Sequence, residues 1–150
     1  MSDEGKRKIV FKNVVLTHTA ETIPPPPPGF PLPFKTLEEW LLDICDSNQP
    51  KAPVSEYNIG LYESPGNSLL CFIGYNHSME QGSTISRITF QPSHTFFALP
   101  EDEYGNLSKE QLRERLLNEF IEFTKTDKFK NSFLSKANSI TTDFGEVWSR

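Results

Sequence analysis

The sequence predicts one α+β domain spanning residues 1–150, in which an antiparallel sheet packs against two or three helices. Three observations lead to this prediction. Several runs of strand length are apolar on one or both faces, two longer segments have helical periodicity and begin with a capping box, and 150 residues is the size of one ordinary domain. The sheet is expected to be a meander to which an N-terminal and a C-terminal strand are added.

The N-terminal strand is predicted at Ile9–Thr17, where β-branched and aromatic residues dominate. Residues 55–63 then alternate between apolar and polar positions, and Leu69–Tyr75 is apolar almost throughout. The turn sequence at residues 65–68 joins these two runs into a predicted hairpin. Because Leu69–Tyr75 is apolar on both faces, it is the expected central strand, covered by helices on one side and by a strap or a partner on the other.

The meander is expected to continue through a polar connection, His77–Ser83, into a third strand at Thr84–Gln91. Phe96–Leu99 is expected to extend it. Near the C-terminus, Ser139–Ser149 has the composition of a last strand, in which Gly145 would form a bulge or a bend.

Two capping boxes mark where the main helices begin. Thr36–Glu39 is the first and predicts a helix of about three turns. Ser108–Gln111 is the second, and it predicts a long helix, followed by a short one after Asp127. Packing of the first helix, the central strand and the long helix is expected to bury four large side chains: Trp40, Phe72, Leu116 and Phe120.

A proline-rich segment separates the N-terminal strand from the first helix. Seven prolines between Pro24 and Pro33 favour polyproline II, because each sets φ at about −65° and lacks an N–H donor. The segment is either a stiff strap over residues 24–34, docked on its own domain, or a ligand for an aromatic-lined groove of the SH3 or WW type. The alternating apolar residues favour the strap, since a free ligand would not need them: Phe30, Leu32 and Phe34.

The net charge indicates which partners the protein can bind, and the cysteine content indicates its cellular compartment. Twenty acidic and fifteen basic residues give a formal net charge of −5. Direct binding to nucleic acid or to an anionic membrane is therefore not expected, and a basic partner is favoured. Cys45 and Cys71 lie in apolar contexts without CxxC spacing, which predicts buried reduced thiols and a cytoplasmic protein. Neither a secretory signal nor an apolar run of about 20 residues is found.

The sequence contains little that indicates catalysis. Its histidines, His18, His77 and His94, lie far apart at strand ends or in loops, where surface hydrogen bonding is the usual role. Metal-ligand spacings, a GxSxG elbow and a glycine-rich phosphate loop are absent, so no catalytic residue, metal or cofactor is predicted. His77 and His94 could still meet beside a loop carboxylate if their strands are adjacent, which would suit a small hydrolase or nuclease.

An acidic group before the long helix is the predicted partner-binding site: Glu101, Asp102, Glu103 and Tyr104. It is either a solvated turn whose carboxylates favour a helix N-terminus, or a contact surface in which the tyrosine anchors a cationic partner. Acidic residues of the first helix would enlarge the negative surface: Glu38, Glu39, Asp43 and Asp46. Four lysines of the C-terminal half are interpreted as a solvated helix face: Lys125, Lys128, Lys130 and Lys136.

The C-terminal third of the chain, Leu116–Trp148, combines an amphipathic helix, the run FKNSFLSKA from Phe129 to Ala137, and a terminal tryptophan. With the small, acidic α+β build, this part resembles bacterial immunity proteins, the cytoplasmic antidotes of polymorphic-toxin and contact-dependent growth-inhibition systems. The resemblance implies a non-enzymatic protein that neutralises a cognate toxin, here a basic, nuclease-like domain, by occluding its active site or a nearby surface. Immunity families share no binding motif, and their pattern does not include the pentaproline.

Two alternatives stand beside this interpretation. The first is an adaptor that a partner domain recognises through the proline-rich segment. The second is the histidine-dependent hydrolase or nuclease.

Overall fold

Within the part of the chain that the structure describes, eight strands form one mixed sheet, in which most neighbouring strands are antiparallel. The computed structural model describes residues 6–11, 14–27, 29–47, 49–63 and 68–149, and for residues 6–20 it describes the backbone alone. The strands are β1 (Lys6–Phe11), β2 (Val14–Glu21), β3 (Glu56–Tyr62), β4 (Leu69–Glu80), β5 (Ser83–Phe90), β6 (Phe96–Ala98), β7 (Ser139–Thr142) and β8 (Gly145–Ser149). Their order is β1-β2-β5-β4-β3-β7-β8, and β6 pairs with the first part of β4. The predicted α+β class and the central position of β4 are confirmed.

Several connections differ from the sequence prediction. The single N-terminal strand is two antiparallel strands, β1 and β2, and residues 12–13 between them lie outside the described residues. The last strand is likewise a hairpin of β7 and β8, in which Gly145 has a φ of +155°. The two strands of each hairpin have similar β propensity, so the sequence does not separate them. Two pairings are parallel rather than antiparallel, β2 with β5 and β3 with β7.

The predicted polar connection His77–Ser83 is wrong, because β4 continues to Glu80 and β5 begins at Ser83. Only Gln81 and Gly82 connect them, with φ values of +52° and +79°. Positive φ at both central residues is the mark of a type I′ hairpin turn. The turn predicted at residues 65–68 lies, except for Ser68, outside the described residues, but β3 and β4 pair as the expected hairpin.

Both capping boxes form as predicted. In α1 (Leu37–Cys45) the Thr36 hydroxyl accepts the Glu39 N–H at 3.1 Å, and the Glu39 carboxylate accepts the Thr36 N–H at 3.2 Å. Ser108 and Gln111 make the same reciprocal pair before α3 (Lys109–Phe123). The acidic group predicted as a loop is a single helical turn, α2 (Glu101–Tyr104). After α3 come α4 (Asp127–Lys130) and a 3₁₀ helix, Phe133–Lys136.

The helices cover one face of the sheet, and the core lies between them. Side chains of β3 and β4 that point to this face pack with α1 and α3 in one hydrophobic cluster. The four predicted core residues are confirmed, since none is more than 2% exposed: Trp40, Phe72, Leu116 and Phe120. The Trp40 indole stacks on Phe97 with 5.6 Å between the ring centroids, and its N–H donates to the His94 carbonyl at 2.8 Å.

The second face of the sheet contains Leu69, Cys71 and Ile73 of β4, which are also buried. The chain after β2 crosses this face, because the hydroxyls of Tyr75 and Tyr62 donate to the carbonyls of Glu21 and Ile23. Further along, the Phe30 ring lies edge-on to Phe96. The proline-rich segment thus follows this face as far as Phe30, whereas Phe34 packs against the core cluster.

Truncation of Phe120 to alanine should reduce the free energy of unfolding by about 3–5 kcal/mol, because a fully buried ring is replaced by a cavity. Chemical denaturation followed by far-UV circular dichroism measures this loss. Phe30→Ala is the control, since that ring is 48% exposed, and it should cost less than about 1 kcal/mol. Equal denaturation midpoints for the two variants would contradict the described register of α3.

Candidate functional site: an acidic groove between helices

A groove of about 700 Å³ is lined by residues of α1, α2 and α3. Its floor is apolar and its rim carries five carboxylates and one guanidinium. The floor consists of Leu37, Leu41, Tyr104 and Phe123; the charged rim consists of Glu38, Glu103, Glu114, Arg115, Glu119 and Glu122. The groove therefore offers an apolar contact area surrounded by net negative charge.

Helical periodicity explains how α3 supplies most of this rim. Leu112, Leu116 and Phe120 are buried against the sheet and hold the helix in one orientation. A polar stripe at three- and four-residue spacing then runs beside the apolar one. The stripe contains Gln111, Glu114, Arg115, Asn118, Glu119 and Glu122. The core contacts of α3 consequently aim its acidic stripe into the groove.

Arg115 organises one end of the groove. Its guanidinium lies over the Tyr104 ring at 4.3 Å from the centroid. It donates to the Glu103 carboxylate at 2.5 Å, to the Glu103 carbonyl at 3.0 Å and to the Glu119 carboxylate at 3.1 Å. The Tyr104 hydroxyl donates to Glu119 at 2.7 Å. Burial and then the Glu119 carboxylate raise the pKa of Tyr104 well above its usual value, so this hydroxyl stays a neutral donor.

The remaining carboxylates of the groove are less compensated. Within the described part of the chain, Glu38 and Glu114 are exposed and make no ion pair. Glu122 pairs with Lys125 at 2.9 Å, but both side chains are largely exposed, and such pairs contribute little. Negative charge is therefore available along the groove at Glu38 and Glu114.

The four residues predicted to bind a partner have different surroundings. Glu101 and Asp102 are exposed in α2, whereas Glu103 is held by Arg115. Tyr104 is only 5% exposed, so its ring belongs to the floor of the groove and does not protrude as an anchor. Partner binding by this group stays a prediction. A partner would contact the exposed carboxylates before it contacts the buried tyrosine.

The acidic residues predicted on the first helix also differ in their contacts. Glu38 reaches the same groove as Glu103, as the negative-surface hypothesis requires. Glu39 belongs to the capping box, Asp43 pairs with His94 at 3.1 Å, and Asp46 pairs with Lys128. Sequence reasoning missed three carboxylates of α3 although their helical spacing is visible: Glu114, Glu119 and Glu122.

A second, polar cavity of about 550 Å³ lies on the opposite face of the sheet. Here His77 lies between Ser86, at 2.6 Å from Nδ1, and Glu56, at 2.9 Å from Nε2, and Glu56 also accepts from the Thr141 hydroxyl. An ionised carboxylate only accepts hydrogen bonds, so the Nε2–H of His77 donates to Glu56. The cluster is a relay along which a proton can move.

This relay differs from the histidine site expected for a hydrolase. His94 lines another cavity, beside Leu32 and Phe96, so the two histidines do not form a pair. Ser86 is 1% exposed and sits within the β4–β5 ladder, opposite His77. A serine buried in a strand is poorly placed to attack a substrate, because so little of it is exposed.

The other predicted groups can be placed as well. Cys45 and Cys71 are buried free thiols, as predicted. Of the predicted lysine face, Lys125 pairs with Glu122 and Lys128 pairs with Asp46. Among the described residues, no three His, Cys, Asp or Glu side chains gather in a group that could hold a metal ion. In that same part of the chain, every helix is too short or too polar to cross a bilayer.

Comparisons with known proteins give no relative: no protein-family model, curated protein or solved structure matches the chain.

The surroundings of Tyr104 predict two different costs of substitution. Tyr104→Phe keeps the ring beneath Arg115 and loses the hydrogen bond to Glu119, so unfolding free energy should fall by about 1–2 kcal/mol. Tyr104→Ala also removes the buried ring and should cost about 3–5 kcal/mol. Urea denaturation of both variants tests this. Wild-type stability in Tyr104→Ala would mean that the ring is not packed in the groove.

The thiols should be unreactive in the folded protein. Burial raises the pKa of Cys71 to about 12, and burial also raises the pKa of Cys45. The thiolate is the reactive form, so at pH 8 its population at Cys71 should be about a thousandfold below that of an ordinary cysteine. Reaction with Ellman's reagent should release two equivalents in denaturant and almost none without it. Rapid labelling of the native protein would contradict the described burial.

Proposed function

We propose that this protein is a cytoplasmic immunity protein that binds a cognate toxin domain and occludes its active site or a nearby surface. The observation that carries the proposal is the acidic groove, with its apolar floor and with Glu38 and Glu114, whose carboxylates make no ion pair among the described residues. The sequence resemblance to immunity proteins supports the same function.

The chemistry of the groove favours a cationic partner. A nuclease active site binds phosphate, so it is rich in lysine and arginine, and a negative surface can take the place of the nucleic acid. The apolar floor supplies the contact area that would hold the complex, because rim charges mainly accelerate association and buried apolar contacts slow dissociation. We therefore propose that a lysine- or arginine-bearing segment of a nuclease-like toxin enters the groove.

An antidote has to remain bound at low cellular concentration. A dissociation constant of about 10 nM corresponds to about −11 kcal/mol of binding free energy, and we expect this affinity or better. The proposed role is non-enzymatic. The Glu56–His77–Ser86 relay supports a hydrolase less well, because its serine is buried in a strand.

Charge reversal within the groove should weaken toxin binding. Glu38→Lys with Glu114→Lys should slow association with the toxin domain by about tenfold and reduce its salt dependence. Stopped-flow fluorescence at several salt concentrations provides the measurement. The toxin domain is taken from the neighbouring reading frame or recovered by pull-down from the native host.

Glu110→Lys with Glu146→Lys is the matched control. Both residues are exposed, neither lines the groove, and Glu110 lies in the first turn of α3 as Glu38 does in α1. The control thus changes the net charge, and the charge at one helix N-terminus, by the same amount as the groove variant does. Reversal of Glu101 and Asp102, without Glu103, tests the predicted contact of α2 separately. Equal rates for the groove variant and its control would contradict the groove as the binding site, and failure to find any protein partner would contradict the antidote function.

A further inference from the structure

The proline run is held to the domain at its N-terminal end. The Tyr75 hydroxyl donates to the Glu21 carbonyl at 2.6 Å, and the Tyr62 hydroxyl donates to the Ile23 carbonyl. The Glu21 carboxylate also accepts the backbone N–H of Ile88 at 2.7 Å. Strands β3, β4 and β5 therefore all contribute to fixing the chain immediately before the first proline.

The other end of the run is also fixed. The Phe30 N–H donates to the Pro27 carbonyl at 3.2 Å, and Gly29 adopts a φ of +82°, which closes a turn. Beyond this turn the Phe30 ring meets Phe96 at 6.5 Å, and the Phe34 ring meets His94 at 5.1 Å. The prolines are thus presented between two anchors rather than on a free tail.

Between the anchors, the two half-buried residues lie three positions apart. Ile23 and Pro26 are half-buried, whereas Pro24, Pro25 and Pro27 are exposed. Each of these prolines is followed by another proline, which restricts it to extended or polyproline II geometry. Polyproline II has three residues per turn, so residues three apart lie on one edge. Ile23 and Pro26 form the inner edge, Pro24 and Pro27 share an outer edge, and Pro25 lies on the other outer edge.

We propose that the exposed edges of Pro24, Pro25 and Pro27 are a binding site for a domain whose groove is lined by aromatic side chains. Such grooves seat proline rings from two edges of a polyproline II helix, and the third edge is not contacted. Here the two outer edges are exposed and the third rests on the domain. Because the segment is already ordered, binding loses less conformational entropy than it would with a free peptide.

The composition of the proline-rich segment restricts the class of groove that can bind it. No charged residue occurs from Thr22 to Pro33. Some grooves have an acidic specificity pocket that binds a basic residue of the ligand, and this segment has no basic residue to occupy such a pocket. The site therefore suits an uncharged aromatic groove of the WW type. It lies on the face opposite to the acidic groove, so the two proposed binding sites do not overlap.

The test uses the 150-residue chain and two probes. One probe is an isolated WW domain that binds uncharged oligoproline, and the other is an SH3 domain with an acidic specificity pocket. Fluorescence of the WW groove tryptophan follows the titration. The WW domain should bind the wild-type chain at least about tenfold more tightly than the SH3 domain does. Absence of WW binding, or equal binding of both probes, would overturn the proposal.

Single proline substitutions test which edges of the polyproline II segment contact the WW domain. Pro24→Ala and Pro27→Ala should each weaken WW binding about tenfold, whereas Pro26→Ala on the inner edge should change it less than about twofold. All three variants remove one proline from the same run, so they are matched in backbone effect. Thermal midpoints equal to wild type verify that each variant is folded. Equal weakening by all three would show that the groove binds a released segment, and would overturn recognition of the ordered edges.

Discussion

The apolar character of β4 on both faces is the constraint on which the rest of the structure depends. Leu70 and Phe72 point to the helices, whereas Leu69, Cys71 and Ile73 point away from them, and all five are buried. A strand of this kind has to be covered twice. Helices α1 and α3 cover one face, and the segment after β2 contributes to covering the other. Each covering layer also carries one of the two proposed binding surfaces.

Some carboxylates of the acidic groove take part in internal ion pairs, and others are available to a ligand. Glu103 and Glu119 hold Arg115 above Tyr104, so these two carboxylates stabilise the junction of α2 with α3. The Arg115 guanidinium offsets one of these two negative charges. Glu38 and Glu114 have no such partner among the described residues, and they keep their charge for a ligand. The number of carboxylates around a groove is thus a poor measure of its electrostatic strength unless the internal ion pairs are first identified.

The polar cavity under the proline-rich segment has a different character. Its groups satisfy one another: Ser86, His77, Glu56 and Thr141 form one hydrogen-bonded series, and the Asn58 amide donates to the Thr141 hydroxyl at 3.2 Å. Half-buried polar groups need such partners, because an unsatisfied one would destabilise the fold. The series accounts for polar residues on a sheet face that the chain itself partly covers, without requiring a substrate.

The sequence by itself determined the features that depend on neighbours along the chain. Both capping boxes, the apolar stripes of α1 and α3, the doubly apolar β4 and the polyproline geometry follow from spacing within a few residues. Only the tertiary structure decided the parallel pairings, the two terminal hairpins, the burial of Tyr104 and the separation of His77 from His94. Glu38 and Glu114 likewise meet in one groove although 76 positions separate them. These features depend on contacts between distant segments, whose free energy is set by packing and pairing that local propensity does not encode.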